Sequence, residues 1–432
     1  MKILHCTNFY TETSGGVKTY LHSVGEEFMR RGMPFRLVVP GDKDEVVEDP
    51  EKDSRMYILK SPPFPVNREY RMILPLDFLP RFRFRLGEIV RCEAPDVVEI
   101  SDLWTLIYLA KALKHRPDWY GLRERPLVAA FAHDRLSDYM VHYFRGAAMR
   151  KIMIRLSNWY LRSIYIPSYD LILANSAYTA EELNKHTETG AASNGRQTHV
   201  VPLGVDVRTF STSHRDESLR RSLLSGEEGF LLLYAGRLSR EKGLERLMDA
   251  MREIADTGRS EIRLLVVGDG SLRSRIEESK PGNVSLLGHV GDRRRLAAIY
   301  ASCDAFITPS VREGFGISQL EAMASGLPVI CPDVAGQMSY MCARAGIVTG
   351  HSPEALRDAI LRMMNLPAGV LREMRKAARM IAEKYSWGET AERILSIYEK
   401  ALTRLRGGEE NLRRLPAPFE SIQNAPRALG VE

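Results

Sequence analysis

Two carboxylates eight positions apart, flanking a Gly-aromatic-Gly turn, are the densest concentration of chemistry in the chain. In Glu313-Gly314-Phe315-Gly316-Ile317-Ser318-Gln319-Leu320-Glu321-Ala322-Met323 the turn falls where a loop gives way to a helical pattern. Glu313 can accept hydrogen bonds from ligand hydroxyls, and Gly314, Phe315 and Gly316 can offer N–H groups to a phosphate. Glu321 lies one turn into the helix, near the same mouth. Ser318-x-x-Glu321 is also a capping box, so capping and ligand binding are both open readings. A second segment, Gly236-Arg237-Leu238-Ser239-Arg240-Glu241-Lys242-Gly243, links an apolar run to a helical one. Arg237 supplies a planar fork and Lys242 a mobile point charge, a pairing suited to a diphosphate. A solvated loop in which Glu241 pairs its neighbours fits the same spacing.

Two further positions complete the set. Thr13-Ser14-Gly15-Gly16-Val17 joins a strand pattern to a helix, and Gly15 and Gly16 would let an anion approach backbone N–H groups at the helix start. A tight turn without a ligand is the alternative. Neither this loop nor Gly268-Asp269-Gly270 has the Gly-x-Gly-x-x-Gly spacing of dinucleotide binders, which disfavours a nicotinamide-dependent dehydrogenase. His133-Asp134 ends an apolar run, where an imidazole can hydrogen-bond or exchange protons with a substrate. A purely structural His133, with Asp134 capping the next helix, also stays open.

These residues act together only if the fold gathers them. Apolar runs at 2–6, 35–39, 96–100, 127–132, 171–174 and 199–201 alternate with helical patterns such as 17–31. Alternation of that kind predicts a parallel, doubly wound sheet. The stretch 207–226 is polar and without periodicity, and its start is the expected domain boundary. A second set follows at 230–234, 263–267, 284–287, 305–308, 328–331 and 346–348, with helices at 244–254 and 296–302. The predicted class is α/β, with two Rossmann-like doubly wound domains and a ligand cleft between them. Residues 407–432 hold glycines, prolines and little periodicity, and are expected to form a disordered tail.

Composition sets the outer bounds. A chain of 432 residues exceeds what one core usually serves, and 44% hydrophobic with 27% charged residues is ordinary for a globular enzyme. No apolar run approaches the roughly 20 residues of a membrane-spanning helix, and the N-terminus does not open a signal peptide, so a cytoplasmic location is expected. The cysteines, Cys6, Cys92, Cys303, Cys331 and Cys342, are scattered and odd in number, and buried reduced thiols are expected. A net charge of +6 is too small to argue for nucleic acid. One stretch is strongly biased: 139–169 contains Arg145, Arg150, Lys151, Arg155 and Arg162 but no acidic residue. Met149, Ile152, Leu156, Trp159 and Ser163 fall there at helical spacing, and Arg81-Phe82-Arg83-Phe84-Arg85 alternates cation and aromatic upstream. An anionic membrane surface is one partner for such patches; a core helix with a solvated basic face is the other reading.

Taken in order, the segments resemble the retaining glycosyltransferases of family 4, from Met1 to about Tyr398 and most densely over 200–206 and 231–332. Gly326-Leu327-Pro328-Val329 after the Glu313/Glu321 segment, and Gly204-Val205-Asp206 at the entry to the second domain, fall in register with that family. The resemblance implies the GT-B fold, with domains at 1–206 and 207–385 and a helix over 386–406 crossing back to the first. It implies that Arg237 and Lys242 clamp the diphosphate of a nucleotide sugar, met by Gly15 and Gly16 from the other domain. Glu313 would hold the donor sugar, with Gly314, Phe315 and Gly316 close by. Glu321 would bind the ribose, and His133 would stand beside the sugar as the active-site histidine. The implied activity is hexosyl transfer to a glycan or lipid acceptor, with front-face retention and the leaving phosphate helping to deprotonate the acceptor.

No metal or other cofactor is expected, since preorganised cations and helix N-termini can carry the leaving charge. The Asp-x-Asp candidate, Asp42-Lys43-Asp44, lies far along the chain from these elements. The expected location is the cytoplasm, peripheral on the inner membrane face. Leu203 in place of an Asn, Ala335-Gly336-Gln337 in place of a Gly-Gly pair, and His351 in place of an Asp depart from the family pattern. A sugar-nucleotide epimerase and a catalytically silent scaffold share the implied fold.

Overall fold

The structure, a computed structural model, describes residues 1–10, 15–65, 70–74, 85–143, 146–187, 198–334 and 336–407. Thr13 and Ser14 of the first loop, residues 81–84 of the cation–aromatic run, Arg145, Ala335 and the tail over 408–432 lie outside the described residues.

The N-terminal half contains strands β1 (Ile3–Thr7), β2 (Phe35–Gly41), β3 (Glu45–Asp49), β4 (Ser54–Lys60), β5 (Val97–Ser101), β6 (Leu127–Ala132), β7 (Leu171–Ala174) and β8 (His199–Val200). Its helices are α1 (Gly16–Arg30), α2 (Arg85–Glu93), α3 (Ile107–His115), α4 (Leu136–Tyr143), α5 (Ala147–Tyr160) and α6 (Ala177–Thr187). The strands form one sheet in the order β3-β4-β2-β1-β5-β6-β7-β8. Its central strands are buried apolar runs, such as Leu127-Val128-Ala129-Ala130-Phe131-Ala132, because helices cover both faces of a parallel sheet. The sequence predicts a parallel sheet, but one edge departs from it: β3 runs antiparallel to β4 and is exposed along most of its length. Neither strand of that hairpin is among the apolar runs of the sequence.

The C-terminal half repeats the plan with β9 (Phe230–Ala235), β10 (Ile262–Val267), β11 (Val284–Gly288), β12 (Ala305–Ile307), β13 (Val329–Pro332) and β14 (Gly346–Thr349). They pair in the order β11-β10-β9-β12-β13-β14, all parallel. Helices α7 (Glu217–Leu223), α8 (Leu244–Asp256), α9 (Arg273–Ser279), α10 (Arg293–Ser302), α11 (Ile317–Ala324), α12 (Pro353–Met364) and α13 (Ala368–Ala382) accompany them. Within the supposedly structureless 207–226, α7 is fixed by Asp216, whose carboxylate accepts from the Ser218 and Leu219 N–H groups.

The last helix, α14 (Trp387–Arg406), ties the two halves together. Its Ser386 hydroxyl caps it at the Glu389 N–H, and the Trp387 backbone packs against Gly204, where a Cβ would meet the Trp387 nitrogen at 2.4 Å. Further along, the Tyr398 hydroxyl donates to Glu99 of β5, which also accepts from Tyr20 of α1 at 2.8 Å and pairs with His5 of β1. Burial alone would raise the Glu99 carboxyl; the His5 ring and the two hydroxyls outweigh it and hold it below its ordinary range. The cysteines are all free, and Cys92 is exposed rather than buried because it lies on the solvent side of α2.

Candidate active site

Every candidate loop leaves the C-terminal end of a parallel strand, where such sheets bind ligands. The loop after β1 leads to Gly15 and Gly16, the loop after β6 begins with His133-Asp134, the loop after β9 carries Arg237 and Lys242, and the loop after β12 carries Glu313 to Gly316. They open onto one cleft of about 1700 Å³ between the two halves. All the sequence-derived positions line it: Gly15, Gly16, His133, Arg237, Lys242, Glu313, Gly314, Phe315, Gly316 and Glu321. That volume exceeds the roughly 300–1,000 Å³ of a single small-molecule pocket.

Contacts across the cleft set the geometry. A Cβ on Gly15 would stand 3.6 Å from Arg237 Nη2, and one on Gly16 would stand 3.6 Å from Ile317 Cδ1. The N-termini of α1 and α11 therefore meet beside the Arg237 loop, and the positive ends of both dipoles face the same space. The guanidinium of Arg237 also lies over the Tyr70 ring of the N-terminal half at 5.4 Å. Gly314 is pressed against the opposite wall: a Cβ there would fall 2.2 Å from the His133 carbonyl oxygen, so only glycine permits this approach. Asn175 holds that carbonyl by donating to it from Nδ2 at 2.6 Å.

Lys242 Nζ donates to Glu313 Oε2 at 2.7 Å. Burial would lower the Lys242 pKa, but Glu313 and then Asp134 outweigh it and raise it, so the ammonium is firmly charged. Glu241 does pair a neighbour, accepting from the Ser239 hydroxyl, while Lys242 reaches out of the loop to Glu313. Asp134 does not cap α4; Glu182 does, accepting from the Leu136 and Ser137 N–H groups at 2.8 and 2.9 Å. Asp134 is exposed at the cleft wall, yet the protein around it raises its carboxyl by desolvation, with Lys242 opposing.

His133 stacks on Phe131 at 4.8 Å, meets the edge of Tyr20 at 5.1 Å, and its Nε2 lies 3.1 Å from Ser101 Oγ. Burial, then the nearby His5, push its pKa down to about 3, so the imidazole is neutral at physiological pH. It can share one proton in a hydrogen bond but carries no charge.

Glu321 is not part of a capping box. Helix α11 begins at Ile317 with Gly316 as its N-cap at φ +90°, which leaves Ser318 inside the helix. The Glu321 carboxylate instead accepts from the Tyr300 hydroxyl at 3.3 Å and lies 3.7 Å from Arg293 Nη2. Burial pushes it up to about 7, with Arg293 opposing. The Phe315 side chain is 2% exposed and packs on Tyr340, so only its backbone is turned to the cleft. The Tyr340 hydroxyl donates to the Phe315 and Gly316 carbonyls and fixes the turn.

Several cleft residues escaped sequence reasoning: Tyr70, Ser101, Asn175, Arg293 and Tyr300. Arg293 opens the run Arg293-Arg294-Arg295, a visible charge signal; the others carry none. Asp44 faces elsewhere, accepting from the Lys60 N–H and pairing with Arg85. Among the described residues, no group of three or more His, Cys, Asp or Glu converges as a metal site requires.

Comparison with known proteins names this arrangement. Residues 14–209 match Glycosyltransferase Family 4, and residues 215–401 match Glycosyl transferases group 1. The chain is 31% identical to a GDP-mannose-dependent alpha-mannosyltransferase of Mycolicibacterium smegmatis, over 74% of this chain and 78% of that one. It is 27% identical to the GDP-mannose-dependent alpha-(1-6)-phosphatidylinositol dimannoside mannosyltransferase of Mycobacterium tuberculosis, over 92% and 95% of the two chains. Among solved structures, the sucrose-phosphate synthase of Thermosynechococcus elongatus superposes with a TM-score of 0.70 at 19% identity, over 93% of this chain and 99% of that one. Anabaena HepE in complex with UDP-glucose gives 0.67 at 18%, over 93% and 100%. The protein belongs to the family 4 glycosyltransferases and has the GT-B fold.

Proposed function

We propose that the cleft transfers a hexose from a nucleoside diphosphate sugar to a hydroxyl of a lipid-borne acceptor, with retention at the anomeric carbon, and that the donor is GDP-mannose. One observation carries the transfer reading: Arg237, Lys242 and the N-termini of α1 and α11 converge beside the Glu313 carboxylate. Departure of a nucleoside diphosphate builds negative charge on its β-phosphate, and fixed positive groups stabilise that charge most as it develops. The choice of GDP-mannose and of a lipid-borne acceptor rests on the names of the mycobacterial relatives.

In this reading the diphosphate takes over Lys242 from Glu313, which frees the Glu313 carboxylate to accept from the sugar hydroxyls. Neutral His133 hydrogen-bonds the sugar from the opposite wall. Glu321, carried by Tyr300, accepts from the ribose. The acceptor hydroxyl enters along Phe9, Phe64, Tyr70 and Trp104 on the N-terminal wall. The bond from the anomeric carbon to the β-phosphate oxygen breaks, the acceptor oxygen bonds the same face, and its proton passes to the departing phosphate. No divalent ion takes part.

The test is transfer from GDP-mannose to a phosphatidylinositol mannoside in EDTA, with the product anomer read by NMR. An α-linked product is expected. A β-linked product would overturn retention, no transfer without magnesium would overturn the metal-free step, and a new sugar nucleotide formed from donor alone would indicate an epimerase.

A further inference from the structure

Helix α5 carries an apolar stripe that nothing among the described residues covers. Met149, Ile152, Leu156 and Trp159 recur every three or four residues, share one side of the helix, and are 47%, 51%, 51% and 58% exposed. They are not core positions, so the core-helix reading of this stripe fails. The core uses another face, on which Met153 and Tyr160 pack inward and Ser157 is buried. Exposed Lys151 and Arg155 run beside the outward stripe, and neither forms an ion pair among the described residues. Arg162 follows, also exposed. Tyr108, 53% exposed, lies close to Tyr160 at the end of α5 and adds to the apolar side.

We propose that α5 docks this enzyme on an anionic lipid bilayer. The stripe enters the boundary between headgroups and acyl chains, while Lys151, Arg155 and Arg162 meet the negatively charged headgroups. Charge complementarity selects this occupant over a second copy of the chain, because pairing two such helices would bring their basic rows together. The location fits the same partner. The Tyr160 hydroxyl donates to the Leu103 carbonyl at 2.7 Å, and Trp104 beside it lines the cleft. A bilayer under α5 would therefore lie next to the acceptor wall.

Sedimentation with vesicles of phosphatidylcholine, alone or mixed with phosphatidylglycerol, tests this without any donor, so its outcome is independent of the transfer reading. Binding should rise with the phosphatidylglycerol fraction and fall with salt. The pairs Leu156→Ser/Trp159→Ser and Lys151→Glu/Arg155→Glu should each weaken it by at least about tenfold. Thermal melting should stay close to the parent's, since these side chains face water. Equal binding to both vesicle types, no binding, or binding indifferent to either pair of substitutions would overturn the proposal. Concentration-dependent self-association abolished by the same substitutions would assign the face to a second copy instead.

Discussion

With Glu321 on the ribose, as proposed, donor binding is sensitive to pH near neutrality. Its carboxyl is raised to about 7 in the ligand-free cleft, mainly by burial. A raised carboxyl disfavours the folded state as pH climbs from the ordinary range near ~4 to about 7, because the unfolded chain has then ionised while the buried carboxyl still holds its proton. Ribose hydroxyls need the ionised form as acceptor, so binding releases the proton. GDP-mannose affinity should therefore rise with pH between about 6 and 8 and flatten above, and Glu321→Gln should bind more weakly with no such slope. Calorimetric titration across that range would show it; a parallel slope in the variant would remove Glu321 from the ribose site. A second residue works by size alone. Gly314→Ala would set a methyl 2.2 Å from the His133 carbonyl oxygen and force the walls apart. Steady-state kinetics should show kcat/KM reduced by about 10²-fold or more, as displacements near 1 Å can cost. Unchanged kinetics would mean the cleft is not closed here during turnover.

Helix α14 holds to the N-terminal half through several contacts, among them one buried carboxylate, Glu99. Tyr398→Phe removes one donor from Glu99 and should cost about 1.5–3 kcal/mol, the range for a hydrogen bond to a charged group, read by urea unfolding. Because the Glu99 carboxyl is held below its ordinary range, its contribution is present above about pH 4 and lost as pH falls through the lower folded value. The variant should therefore lose less stability on acidification than the parent. Elements of this kind differ in how well the sequence reveals them. Strands β6 and β9 are unbroken apolar runs, and β10 is one but for Arg263, because both faces are largely buried, and their positions were readable to within a residue or two. Strand β3, Glu45-Val46-Val47-Glu48-Asp49, is an exposed edge with no buried face to write a pattern, and it is absent from the apolar runs of the sequence. Helix α5 was legible as a helix, but not the direction of its stripe, since periodicity records amphipathicity and not which side meets the core.

Across the whole molecule, local spacing located each loop but could not pair them. Lys242 and Glu313 stand 71 positions apart and meet at 2.7 Å; Glu99 and Tyr398 stand 299 apart and meet in the core. Such pairings follow from strand order and from α14, which no local window contains. The Ser318-x-x-Glu321 spacing even pointed to a capping box that the structure does not form, because Gly316 starts the helix two residues earlier. The proposed function makes one demand of the intact protein: a nucleoside diphosphate hexose binds through Lys242, without metal. The most direct measurement is calorimetric titration of GDP-mannose in EDTA against the parent and Lys242→Ala. The parent should bind at one site, and the variant should lose at least about tenfold in affinity while melting near the parent's temperature. Equal affinity in the two proteins, or binding by the parent only when magnesium is restored, would contradict the cation-clamped cleft.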